Sequence, residues 1–408
     1  MSAPAVKVRE RGSEGTHSAA TCQVCGSSAV VDIFESRGVP VHVGMFYDSP
    51  EAALDAPTGD IVLAHCSNCT FTFNRTFDPA KVFYSPGYEV ALHHSPVFRA
   101  YIERVVNRLA DRYELRNKTI LEVGCGDAWF LKQLCQIGGN SGIGVDPTAP
   151  YEGKRAYDFG TIELIREYYG AAQSSLEVDF ACCLSALEHI AHPREFLQTV
   201  RRNLGRSGIV CYFEVFNAYQ AFQRQETWSP HYEQCNYFSL ESLRAAFLQS
   251  GFELRDSGAD YQGDQYLYVE ASTGVETPDM KSNVDSSESQ PQSTIVECTT
   301  AHEEKLNHWR QRMGEWRAQN TDVVFWGAAG KGISFLNTLP TKGVVSRVVD
   351  INPDKQGKFV PGTGQPIVAP QELVSSPPAV IIISNSLYLE EIRRQVADMQ
   401  MTCEVLVA

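Results

Sequence analysis

The sequence predicts an α/β protein with two doubly wound, Rossmann-like units in tandem, preceded by a small cysteine-rich module. Three observations lead there. The stretches "LEVGCGDAWF" and "VVFWGAAGKGISFLN" each read as an apolar strand, a glycine loop and a helix, the unit from which open parallel sheets are built. Strands and helices alternate after each of them, which favours parallel crossovers. Ahead of both, Cys22-x-x-Cys25 and Cys66-x-x-Cys69 have the spacing of paired metal knuckles.

With 408 residues the chain is too long for one ordinary core, so two or three domains are expected. Residues 1–20 are small and polar without periodicity, and read as a disordered lead. From 21 to 76 short alternating strands and turns form a loop-rich module with little core of its own. From 77 to 272 the pattern is helix, then strand and helix in turn: "SPVFRAYIERVVNRLADRY" has apolar residues at helical spacing and "KTILEVGCG" is a strand ending in glycines. "AWFLKQLCQIG" is a helix stopped by Gly138 and Gly139, and "SGIGVD", "VDFACCLS" and "GIVCYFEVF" continue the sheet. "FELRDSGADYQGDQYLYVEAS" reads as a closing hairpin. Residues 273–300, rich in Ser, Pro, Asp and Glu, read as a linker. A helix from 301 then leads into the second unit, which runs to 408.

A net charge of −14 leaves no basic stripe for a nucleic acid and disfavours an anionic membrane, so the expected partner is a small molecule. No apolar run is long enough for a membrane span, and the N-terminus lacks the apolar core of a secretory signal. A cytoplasmic protein is expected. Twelve cysteines in such a compartment read as metal ligands and buried thiols rather than disulfides. Cys22, Cys25, Cys66 and Cys69 can close a tetrahedron around a structural zinc, with no position left for water or substrate.

In the first glycine loop, Gly124 and Gly126 let backbone amides approach a ligand. The third glycine of the dinucleotide fingerprint falls at Trp129, which argues against NAD. Glu122 inside the strand suits a cationic amino group, as in S-adenosylmethionine, and Asp146 at the end of the next strand suits the ribose hydroxyls. The successive stretches "LEVGCGDAWFLKQL", "GIGVDP" and "CCLSALEHIAHPREFL" resemble the motifs of class I S-adenosylmethionine-dependent methyltransferases. The wider order of parts resembles the zinc-containing sugar C-methyltransferases: a four-cysteine module, the methyltransferase core, a "YFS" loop and a C-terminal Rossmann-like domain.

The resemblance implies C-methylation of a nucleotide-linked keto sugar through an enolate, with a methyltransferase domain over 77–272 and a substrate-binding domain over 301–408. It places an active-site histidine at His189 and a substrate-facing tyrosine at Tyr88, with Tyr84 the other candidate. In the related loop Tyr-Glu is followed by a histidine that serves as the base; here Tyr232 and Glu233 are followed by Gln234. A glutamine cannot hold the proton at neutral pH. His231, His189, Tyr232 and Glu233 therefore stand as catalytic candidates, with Gln234 and Asn236 shaping the substrate site. In the last domain Lys331, beside Gly330 and Gly332, is a candidate for binding the substrate's phosphates, and Asp350 repeats the position of Asp146. The rival readings are an O- or N-methyltransferase for another natural product and a cofactor-binding scaffold without turnover.

Overall fold

A computed structural model describes residues 21–88, 91–205, 208–274 and 291–408. The lead over 1–20 and the middle of the expected linker, 275–290, lie outside the described residues.

The cysteine module contains β1 (Val30–Pro40), a short helix α1 (Pro50–Leu54), β2 (Thr58–Cys66) and β3 (Thr72–Asn74), paired antiparallel in sequence order. Its two knuckles are alike. Gly26 (φ 74°) and Thr70 (φ 60°) both take the left-handed turn and both donate their amides to the first cysteine carbonyl, Gly26 to Cys22 and Thr70 to Cys66.

The middle domain starts with α2 (Pro96–Arg112), whose Ile102, Val105, Val106 and Leu109 recur at helical spacing and are buried. It continues through β4 (Thr119–Val123), α3 (Trp129–Gly138), β5 (Ser141–Val145), a hairpin of β6 (Gly153–Tyr157) and β7 (Gly160–Ile165), β8 (Phe180–Leu184), α4 (Pro193–Leu204), β9 (Val210–Phe216) and α5 (Ala218–Gln223). After the "HYEQCNYFS" loop, which holds β10 (Asn236–Tyr237), come α6 (Leu240–Gln249), β11 (Phe252–Asp260) and β12 (Tyr266–Thr273). The sheet order is β11-β12-β9-β8-β4-β5-β7-β6.

This sheet is mixed, a correction to the parallel sheet expected. The run from β7 to β9 is parallel, but β12 lies antiparallel to both β9 and β11, and β6 to β7. Short turns join β6 to β7 and β11 to β12, and a tight connection between neighbours forces the antiparallel sense. The β6 strand "GKRAY" was not legible because its side chains are mostly exposed and lack an apolar rhythm.

The last domain is a five-stranded parallel sheet. It comprises α7 (Pro291–Gln319), β13 (Val323–Trp326), α8 (Gly330–Thr338), β14 (Val345–Val349), β15 (Ile367–Val368), β16 (Val380–Ile383), α9 (Leu389–Asp398) and β17 (Glu404–Val407), in sheet order β15-β14-β13-β16-β17. Helix α7 starts at Pro291 rather than at 301, so the end of the expected linker is helical. Proline suits the first helical turn, where its missing N–H costs nothing. The polar composition of the segment hid the buried contacts of Cys298 and Thr299. Among the described residues no helix is long and apolar enough to cross a membrane.

Candidate active site

One large cavity, about 1620 Å³, opens where the three modules meet. It reaches from Val43 and Phe46 of the cysteine module, past the Gly124–Gly126 loop, to Gly327–Lys331 of the last domain. Pockets for a single small ligand usually run roughly 300–1,000 Å³. This one has room for two.

The end of the cavity at Gly124–Gly126 is built by strand-to-turn geometry. Gly124 (φ 73°) and Gly126 (φ 51°) carry the chain around the carboxyl edge of β4, and a β-carbon on Gly124 would stand 2.7 Å from that of Ala186. Asp146, at the end of β5, closes the loop: its Oδ2 accepts from the Gly126 amide at 2.9 Å, and its Oδ1 accepts from the amide and hydroxyl of Thr148 at 2.6 Å each. Asp146 also lines the cavity. Glu122 does not, which corrects its assignment to the cofactor's amino group. It is buried under the loop, burial raises its carboxyl well above the usual range, and Oε2 accepts from the Leu131 amide at 3.0 Å. Its role in the fold is to anchor the first turn of α3. Asp127 lines the cavity instead, with His93 at 3.6 Å and the His93 ring stacked on Trp129 at 5.1 Å.

The "HYEQCNYFS" loop crosses the middle of the cavity and is held from both sides. Asn236 and Tyr237 add a fourth strand to the cysteine module, pairing β10 with β3. Ser239 caps α6 by accepting from the Ser242 amide at 3.1 Å, and its hydroxyl lies 2.6 Å from that of Thr70. Two assignments are corrected here. Asn236 points away from the cavity and donates to the carbonyls of Leu187 and Ile190, at 3.1 and 2.7 Å, tying the loop to the His189 turn. Tyr232 is buried against Phe77, and its hydroxyl accepts from the Asp78 amide at 2.9 Å, again outside the cavity.

His189, His231, Glu233, Gln234 and Tyr88 do line the cavity. His189 Nδ1 lies 2.9 Å from the Glu233 carbonyl oxygen and His231 Nδ1 lies 2.9 Å from that of Ser229. A carbonyl only accepts, so both rings carry the proton on Nδ1 and keep the lone pair on Nε2. The ring centres are 6.2 Å apart. Burial pushes the His231 imidazole down to about 4, with His189 and Lys331 adding to the fall. A β-carbon on Gly330, at the start of α8, would stand 3.1–3.5 Å from three atoms of its ring, a tight contact.

Glu233 is fully buried. Burial alone would raise its carboxyl, but the hydrogen bond from His42, the nearby His189 and His231, and the Tyr88 hydroxyl outweigh it and hold the group below its usual range. Tyr88 lines the cavity and donates its hydroxyl to Glu233 at 2.8 Å, whereas the Tyr84 hydroxyl is buried with no partner among the described residues. Lys331 lines the cavity but is ion-paired with Glu226 and sits 5.3 Å from the centre of the Phe216 ring. Its charge is already met. Asp350 repeats Asp146, accepting from the Ala328 amide at 2.9 Å, but the buried Lys355 fills the space beside it, 3.4 Å from Oδ2.

The four cysteines meet at the other face of the module. Their sulfurs all lie within 4.8 Å of one another, with Cys22–Cys69 and Cys25–Cys66 each at 3.6 Å. Four thiolates at about 2.3 Å from one ion, set tetrahedrally, would stand roughly 3.8 Å apart. The cluster fits a metal ion.

A glycine loop at the carboxyl edge of an eight-stranded mixed sheet, an acidic residue closing it and a double-sized cavity suit an enzyme that holds a nucleoside-bearing cofactor beside a second ligand. The family models agree. One described as "Methyltransferase domain" matches residues 93–257, and one described as "C-methyltransferase C-terminal domain" matches residues 280–407. The chain therefore carries a methyltransferase domain followed by the C-terminal domain of the C-methyltransferases. A search of curated proteins returns no match. Among solved structures it is similar to a putative S-adenosylmethionine-dependent methyltransferase from Listeria monocytogenes (14% identity, 44% of this chain and 99% of that one, TM-score 0.33). It is also similar to one from Mesorhizobium loti (15%, 42% and 99%, 0.31) and to the carbon methyltransferase CurJ (13%, 44% and 56%, 0.33).

The main site residue that sequence reasoning missed is His42. Nothing in "VPVHVG" sets that histidine apart, because its partner Glu233 comes from a distant part of the chain.

Proposed function

We propose that the enzyme methylates carbon of a keto sugar carried on a nucleoside diphosphate, by way of an enolate. The observation that carries this reading is the His189 geometry: Nδ1–H is given to the Glu233 carbonyl, leaving a basic Nε2 on a ring that faces a cavity spanning both glycine loops. His189 takes the proton from the carbon next to the ketone. His231 is the weaker acceptor, since an imidazole held near 4 binds protons poorly at neutral pH, and it serves as a neutral acceptor for a substrate hydroxyl. S-adenosylmethionine, held by the Gly124–Gly126 loop and Asp146, supplies the electrophilic methyl group. The uncapped first turn of α8 offers backbone amides to the diphosphate. Zinc is the ion we assign to the four cysteines.

The test is incubation of the purified protein in heavy water with labelled cofactor and a panel of nucleotide-linked keto sugars. The expected result is methyl label on carbon and deuterium uptake next to the ketone, both lost in His189→Ala. Methyl label on oxygen or nitrogen, or undiminished deuterium uptake in His189→Ala, would overturn the reading.

A further inference from the structure

Glu233 is a charge with no exposure, yet much of what holds its carboxylate comes from another module. Oε1 accepts from the Val43 amide at 3.1 Å and from the Tyr88 hydroxyl at 2.8 Å, and Oε2 lies 3.2 Å from His42 Nδ1. His42 and Val43 follow β1 of the cysteine module. An ionised carboxylate only accepts, so His42 donates from Nδ1. Its Nε2 is buried without a partner, and the ring is enclosed edge-on by Phe83, Tyr84 and Tyr88. Glu233 then passes this constraint on, because its backbone carbonyl receives the His189 Nδ1–H.

We infer that His42 is a positioning residue for methyl transfer. By fixing the Glu233 carboxylate it fixes the carbonyl that keeps His189 in its Nδ1–H tautomer, so the cysteine module sets the proton acceptor of the neighbouring domain. Tyr88, Tyr84, His189 and His231 also face Glu233, but among the described side chains only His42 meets Oε2. Without that donor Oε2 is a buried carboxylate oxygen left unpaired, a costly state that turning the loop or taking a proton would relieve. Either response moves or weakens the carbonyl that His189 needs. The inference rests on the reading of His189 as the base.

Two amide variants separate this role from packing. In His42→Asn the side-chain amide can donate from where Nδ1 stood; in His42→Gln it reaches instead to the place of Nε2, away from Glu233. In protein labelled with 15N-histidine, two-bond correlation spectra report which ring nitrogen of His189 is protonated, with His189→Ala identifying the signal. The parent and His42→Asn are expected to show the Nδ1–H form. His42→Gln is expected to lose it, and its kcat on the keto-sugar panel to fall about tenfold or more, with the KM for cofactor unchanged. Retention of tautomer and kcat in His42→Gln, or equal loss in both variants, overturns the inference. A parent that turns over no keto sugar sinks the substrate reading instead, while the spectra still decide whether His42 governs His189.

Discussion

Asp146 closes the Gly124–Gly126 loop and lines the cavity, and if it holds the cofactor's ribose as proposed, its contacts allow the effect of removing it to be worked out. A carboxylate has about four acceptor positions. Three are taken inside the protein, by the Gly126 amide and by the amide and hydroxyl of Thr148, so one position faces the cavity for a ribose hydroxyl. One charge-assisted hydrogen bond contributes about 1.5–3 kcal/mol. Asp146→Ala is therefore expected to weaken S-adenosylmethionine roughly 10- to 150-fold, measured by titration calorimetry. Because the Gly126 amide loses its partner too, the loop loosens and the effect is expected at the upper end. A second ligand isolates the ribose contact: 5′-methylthioadenosine keeps the nucleoside but not the amino-acid end, and is expected to lose affinity by a similar factor. Thr148→Val removes one internal donor while leaving the ribose position filled, and is expected to cost some thermal stability with affinity changed less than threefold, which is within about 0.7 kcal/mol. Unchanged affinity in Asp146→Ala, or a loss confined to S-adenosylmethionine and absent from methylthioadenosine, would refute the assignment.

Elemental analysis of protein purified without chelator is expected to find one zinc per chain, and Cys25→Ser is expected to lose it and to lower Tm; a full-strength metal-free protein would remove zinc from the account. Gly124→Ala combines a left-handed backbone, costing about 1–2 kcal/mol, with a contact of 2.7 Å to Ala186, so it is expected to lower Tm and weaken the cofactor together, by calorimetry on one sample. His302 is buried with both ring nitrogens unpartnered, and burial pushes it down to about 4 from 6.5. The unfolded chain takes that proton first, so its stability contribution is complete above pH 6.5 and is lost as pH falls toward 4, a decline of about 3 kcal/mol; His302→Leu is expected to flatten that part of the denaturant-derived stability curve. Gln234→His puts an imidazole where the related loop carries one, and is expected to shift the pH profile of turnover if that position still reaches substrate.

What could be read from the sequence was what short segments decide by themselves. The cysteine pairs, both glycine loops and the acidic residues closing them depend on neighbours a few residues away, and the structure puts Gly124, Gly126 and Asp146 together as expected. The direction of side chains in an irregular loop is another matter. Tyr232, Glu233, Gln234 and Asn236 are near neighbours, yet two face the cavity and two face the protein, because the partners that choose between those faces, such as Asp78 and Leu187, lie far off in the chain. The polar tract before 300 gave no helical rhythm, and only the packing of α7 against the other modules makes it a helix.

The pairing of β10 with β3 makes the order of synthesis matter. The cysteine module is made first, but its fourth strand is Asn236–Tyr237, so a nascent chain emerging from the ribosome carries β3 as an open edge until most of the middle domain has followed. An open edge invites pairing with other chains. A fragment ending before 236 is thus expected to be prone to aggregation even with its metal bound, and a fragment starting after 76 to lack the template on which its own loop is laid down. In evolutionary terms the two pieces are not exchangeable parts: the module could not be transplanted onto another methyltransferase without the strand that completes it.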